Sequence, residues 1–164
     1  MTFDPHFRFY REDPQSRPCA HSLDDCANEL REEMAARREL YPALVAKGRM
    51  TNEAMARELR VMSAILWEHI FPIEARGAKQ PFATWTEKVH ALRREIGLRR
   101  TLYPRWILAG RIDPAIADTR LTLLEELHEL YWFGSQSAEA IAARAETMAR
   151  AQVRNPTKPL QHAA

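Results

Sequence analysis

A partial internal duplication constrains this chain more than any other feature. Arg37-Arg38-Glu39-Leu40-Tyr41-Pro42, followed by Gly48-Arg49, recurs 62 residues on as Arg99-Arg100-Thr101-Leu102-Tyr103-Pro104, followed by Gly110-Arg111. The same offset carries Ser22 onto Thr84, Asp25 onto Glu87, Leu30-Arg31 onto Leu92-Arg93, Glu33 onto Glu95, Thr51 onto Asp113 and Leu59 onto Leu121. One structural unit is used twice, and its matched residues are caps, turn formers, stripe positions and ion pairs rather than a reaction centre; whether the two copies share one core is left open by the sequence.

The local grammar of each unit is helical. Ser22-Leu23-Asp24-Asp25 and Thr84-Trp85-Thr86-Glu87 both place an acid three residues after a hydroxyl cap. Leu23, Leu30, Met34, Tyr41 and Leu44, and in the second unit Trp85, Leu92, Ile96, Tyr103 and Trp106, form stripes of helical period. Pro42 and Pro104 predict a kink, or a break followed by a short turn. Gly48 and Gly110 stand where a helix ends in a left-handed residue, and Thr51 and Asp113 then cap returning helices with Met55, Leu59, Met62 and Leu66, or Ala117, Leu121, Leu124 and Tyr131, on one face. The short connections make each unit an αα-hairpin. Glu33 and Arg37, like Glu95 and Arg99, have the acid-first i,i+4 spacing of an ion pair, which reads as a structural pairing.

The predicted architecture is all-α: two tandem αα-hairpins plus a C-terminal helix and an extended N-terminal arm. Its divisions are an aromatic arm over 1–21, a first hairpin over 22–70, a connector over 71–83, a second hairpin over 84–133, a helix over 135–153 and a loose tail over 154–164. Sparse glycine and abundant Ala, Leu, Glu and Arg agree with helix, and 164 residues suffice for a hydrophobic interior. The absence of a basic-then-apolar leader, or of any long uncharged apolar run, leads us to expect a cytoplasmic protein with no membrane association.

Three kinds of partner contact are written in the residues. Phe3, Phe7, Phe9 and Tyr10 in the arm, with Trp132 near the end of the second hairpin, are candidate anchors for another protein, or else an intramolecular cover. Arg93, Arg94, Arg100, Arg105 and Arg111 concentrate on one helix and its loop, and with Tyr103 and Trp106 could follow a nucleic-acid backbone and stack on bases. The acids Asp118, Glu125, Glu126 and Glu129 could instead neutralise them, and a formal net charge of +2 gives the whole chain no strong positive field. Cys19, His21 and Cys26, with His6 as a recruit, lack paired metal-ligand spacing and read better as ordinary thiols and an imidazole than as a zinc site. His128 and His69 read as core-edge histidines, and no nucleophile, base and orienting group can be named. The chain is therefore expected to have no catalytic residue, cofactor or metal.

The pattern Arg-Arg-x-Leu-Tyr-Pro-x-Leu-Val-Ala-x-Gly-Arg-Met-Thr within Leu30 to Ile65 resembles small helical proteins of bacteriophages and prophages, most of them uncharacterised. The second copy departs from it, with Trp106-Ile107-Leu108 in place of Leu44-Val45-Ala46 and Asp113-Pro114 at the cap. The resemblance implies a mobile-element origin. With the absence of a reaction centre it leads to an expected function: a non-catalytic accessory protein that binds and modulates or inhibits a host or phage protein. The alternative is an accessory nucleic-acid binder in phage replication, recombination or packaging. Homo-oligomerisation is compatible with both.

Overall fold

The structure, a computed structural model, describes residues 2–10, 20–69 and 79–154. Five helices are present among them: α1 (Leu23–Ala46), α2 (Asn52–Trp67), α3 (Trp85–Leu108), α4 (Pro114–Gly134) and α5 (Ala138–Arg154), with no strand. Both ends of α1 and α3, and the starts of α2 and α4, fall 62 residues apart. Most of the connector and the tail from 155 onward lie outside the described residues.

The matching boundaries have matching causes. Ser22 with Asp25, and Thr84 with Glu87, form complete capping boxes that satisfy otherwise orphaned amides. Gly48 (φ 66°) and Gly110 (φ 64°) then end α1 and α3. The amides of Gly48 and Arg49 donate to the carbonyls of Val45 and Leu44, and those of Gly110 and Arg111 to Ile107 and Trp106, the two crossed bonds of a Schellman motif. A side chain at either glycine would force a strained left-handed residue.

Of the two outcomes expected at the prolines, a break is not found: α1 runs through Pro42 and α3 through Pro104. Each proline lies near the helix end on an exposed face. The missing donor therefore deprives one carbonyl that water can solvate, and packing of the flanking stripe carries the helix onward.

Ion pairs give the helix directions. Between α2 and α3, Glu58 meets Arg94, Arg60 meets Glu87 and Glu68 meets Lys88, so the helices run antiparallel. Between α4 and α1, Leu123 lies against Cys26 and Arg120 against Glu29, again antiparallel. The neighbours close a circuit α1–α2–α3–α4–α1, an up-down-up-down bundle with α1 diagonal to α3 and with α5 packed on α3. One apolar cluster joins Leu30, Met34, Met62 and Ile65 of the first hairpin to Leu92, Ile96, Leu124 and Leu127 of the second. Leu23, placed on the stripe by its spacing, is instead 57% exposed.

Across the diagonal sits a ring of four charges. Arg37 Nε donates to Glu33 at 2.5 Å and its Nη2 to Glu95 at 2.8 Å, while Arg99 Nε donates to Glu95 at 3.0 Å and its Nη2 to Glu33 at 2.8 Å. Exchanging each residue with its counterpart 62 positions away maps the ring onto itself. Both arginines are 3% exposed. Burial opposes the charge on Glu33, but Arg37 and Arg99 outweigh it and hold the carboxyl below its ordinary range; burial likewise opposes the charge on Arg37, and Glu33 and Glu95 outweigh it. Glu29 adds a third acid to Arg99 at 2.6 Å.

The arm is strapped to the bundle by arginines. Arg150 donates to the carbonyl of Phe3 (2.9 Å), Arg93 to that of Asp4 (3.2 Å) and Arg100 to that of Arg8 (2.7 Å), so side chains supply donors to an arm that has no strand partner. Rather than being extended throughout, the arm turns at Pro5-His6, where the Phe7 amide donates to the Asp4 carbonyl. Phe3 is buried, edge-on to Trp85 and Trp132 and stacked on His90 at 4.2 Å.

Because truncating one partner under-neutralises the others, Arg99→Met leaves Glu33 and Glu95 to share Arg37 alone and Glu29 to rely on Arg120. We expect it to lower unfolding free energy by about 3–5 kcal/mol in urea titration. A loss under about 1 kcal/mol, the range of an exposed pair, would contradict a buried ring.

Candidate functional site

The ring is also a floor. Above it, toward the two hairpin turns, α1 and α3 leave a cleft of about 570 Å³, within the range of roughly 300–1,000 Å³ typical of ligand pockets. Its walls come from Ala36, Leu40 and Leu44 of α1 and Leu98, Leu102 and Trp106 of α3, each set at the four-residue step that aligns side chains on a helix face. Met50 and Ile112, one from each turn, and Tyr41 and Tyr103 complete the enclosure. Leu40 (54% exposed), Leu98 (48%) and Trp106 (36%) are large apolar groups left facing solvent at this place. Burial pushes up the pKa of both Tyr41 and Tyr103, which keeps the phenols neutral.

Polar groups at the floor are nearly all spent on one another. Arg94 pairs with Glu58, which also lies 3.6 Å from Arg37 Nη1, and Arg120 is bonded to Glu29. Arg37 Nη1 itself finds no hydrogen-bond acceptor. The cleft thus offers apolar surface over a neutralised base, an arrangement suited to holding apolar side chains rather than to moving protons or electron pairs.

The arginines proposed for nucleic acid separate into two groups. Arg93 is buried and Arg100 is held by Glu125 at 2.7 Å, whereas Arg94 is paired with Glu58 but keeps 48% of its side chain exposed, so three of the five have partners of their own and two of those three are turned inward. Arg105 and Arg111 are exposed at the hairpin-turn end. The aromatic anchors are likewise internal: Phe3 and Trp132 are buried, and Phe7, Phe9 and Tyr10 are half-buried. Among the calls on metal-type ligands, Cys19 lies outside the described residues, His21 Nδ1 is 3.2 Å from Glu126, and Cys26 is buried with Sγ 3.9 Å from the Leu123 carbonyl.

Sequence reasoning missed the role of Arg93. Its guanidinium has rings on several sides, with centroids at 4.1 Å (Trp132), 4.4 Å (Phe7), 5.0 Å (Phe3) and 5.8 Å (Phe9). Its Nε donates to His128 Nε2 at 3.0 Å. Burial lowers its pKa to about 10, still far above neutrality. Burial, helped by the charges of Arg93 and Arg100, depresses that of His128 to about 3, so the imidazole stays neutral and accepts. Also missed were Glu29, Glu58 and Arg120. A signal for two of these existed, since the 62-residue offset exchanges Glu32 with Arg94 and Glu58 with Arg120, a paired charge reversal at positions that meet in space.

No family model, curated protein or solved structure matches the chain. Among the described residues no helix is long and apolar enough to cross a membrane.

The neutral, buried His128 gives a pH signature. The unfolded chain binds a proton there near the ordinary 6.5 and the folded chain near 3, so the unfolded state gains a proton between those values and stability falls as pH drops through that window. His69 and His90, also depressed by burial, act with the same sign. The thermal midpoint should fall from pH 7 to pH 5, and His128→Gln, which keeps an acceptor for Arg93, should flatten that slope; a slope unchanged by the substitution would remove His128 from the account.

Proposed function

We propose that the chain is a non-catalytic accessory protein, of the phage type its hairpin motif resembles, that binds another protein through the cleft between α1 and α3 and so modulates or inhibits it. The observation carrying this reading is the cleft itself: among the large apolar side chains that the bundle leaves exposed, Leu40, Leu98 and Trp106 are gathered on one concave surface. Its floor of paired charges needs no ligand for neutralisation. A partner's apolar side chains would gain about 25 cal/mol for each Å² removed from water there. The alternative, an accessory nucleic-acid binder, is supported by Arg105 and Arg111, exposed and unpaired among the described residues, and weakly by Arg94, which is exposed but paired with Glu58; Arg93 and Arg100 already have internal partners.

Capture from nuclease-treated lysate of a bacterial host, with wild-type and Leu98→Glu protein as baits, tests the reading. Leu98 is half exposed, so the substitution should leave helicity and thermal midpoint nearly unchanged while a stoichiometric protein partner disappears. A partner retained by Leu98→Glu, or one released by nuclease, would count against the cleft.

A further inference from the structure

The rim of the cleft narrows the chemistry of its occupant, on the reading that the cleft docks a protein. Lys47, Arg49, Arg105 and Arg111 are all exposed. Arg49 adjoins Met50, Arg105 adjoins Trp106 and Arg111 adjoins Ile112 in the chain, while Lys47 lies three residues beyond Leu44, so each is a near neighbour in sequence of a residue that lines the cleft. Ion pairing elsewhere in the bundle engages Arg37, Arg60, Arg94, Arg99, Arg100 and Arg120, whereas no carboxylate among the described residues pairs with these four cations. The acids nearest them in sequence are occupied with helix starts: Asp113 accepts from the amides of Ala115 and Ile116, and Glu53 is held by its own amide and Thr51. Positive charge is thus paired below the cleft, while around its mouth these four unpaired cations outnumber the two capping carboxylates, Asp113 and Glu53, which keep their own charge.

The walls supply the second half of the argument. Ala36, Leu40 and Leu44 face Leu98, Leu102 and Trp106, and α1 and α3 point the same way because each runs antiparallel to the helices between them. Two co-directional rows of side chains at four-residue spacing make a groove that accepts the ridge of a third helix. We infer that the cleft takes the apolar ridge of an acidic amphipathic helix from a partner protein, with leucine-like side chains entering between α1 and α3 and flanking carboxylates meeting Lys47, Arg49, Arg105 and Arg111. Rim charges of this kind steer encounter and select partner sign more than they add raw affinity.

Fluorescence anisotropy with the full chain tests this. The probes are a labelled amphipathic peptide of roughly 20 residues, long enough for several helical turns, with a leucine ridge and glutamates on its flanks, the same peptide with lysines for glutamates, and a labelled oligothymidylate. The acidic peptide should bind saturably and at least about tenfold more tightly than the basic one, a difference that narrows with salt. Leu98→Glu should abolish binding. The exposed double change Arg49→Glu with Arg111→Glu, checked for unchanged helicity, should reverse the preference toward the lysine peptide. Equal affinity for both peptides, each lost in Leu98→Glu, would overturn the acidic inference and leave the docking reading standing. Binding of neither peptide would overturn both, and tight oligothymidylate binding that is lost with Arg105→Glu and Arg111→Glu would assign the rim to nucleic acid and overturn the inference as well.

Discussion

Two arginines at the centre of a helical bundle set the terms for everything around them. Arg37 and Arg99 give up their hydration almost completely, a loss that only close, well-oriented carboxylates can offset. Each takes one carboxylate from its own helix and one from the helix across the diagonal. The own-helix bonds could form in an isolated hairpin. The crossed bonds cannot, and they close only at one rotation and one axial register of α1 against α3. A buried ionic ring of this kind adds little net stability compared with apolar packing, so its consequence in this bundle is specificity of arrangement. It also separates the interior into an apolar cluster on one side and the cleft on the other.

Arg93 meets the same difficulty by a different route. It has neutral acceptors, His128 Nε2 and the Asp4 carbonyl, and aromatic faces whose negative quadrupoles face the guanidinium. The rings belong to the arm as well as to α4, so stabilising this cation and fixing the arm are one event. Burial and adjacent positive charge keep His128 unprotonated, and an unprotonated imidazole is what allows Arg93 to donate to it.

The legibility of these features follows the range of the interactions behind them. Caps, the left-handed glycines and the i,i+4 pairs depend on residues within one turn, and their spacing is visible in the chain: Ser22, Thr84, Gly48, Gly110, Glu33 and Arg37 all stand where local chemistry requires them. The prolines do not break their helices because Pro42 and Pro104 sit near an exposed end, where the lost donor is least costly. The basic helix was open to two readings because its exposure depends on tertiary partners, Glu58 for Arg94 and Glu125 for Arg100, that no single-helix pattern contains. The helical spacing puts Trp106 on the apolar stripe and assigns Leu40 and Leu98 to no face. Only the diagonal placement of α1 and α3 shows that they line an open cleft.

Ring, arm and cleft follow from one arrangement: two similar hairpins locked across a diagonal by crossed ion pairs. The measurement that tests this most directly is a double-mutant cycle between Glu33 and Arg99, residues 66 apart in the chain that meet at 2.8 Å, with Glu33→Gln, Arg99→Met and the double variant compared by urea unfolding. The account predicts a coupling above about 1 kcal/mol, within the range for residues in one ion-pair network. Losses that add to within about 0.3–0.5 kcal/mol, as they do for independent sites, would mean that the hairpins are not held together by these charges.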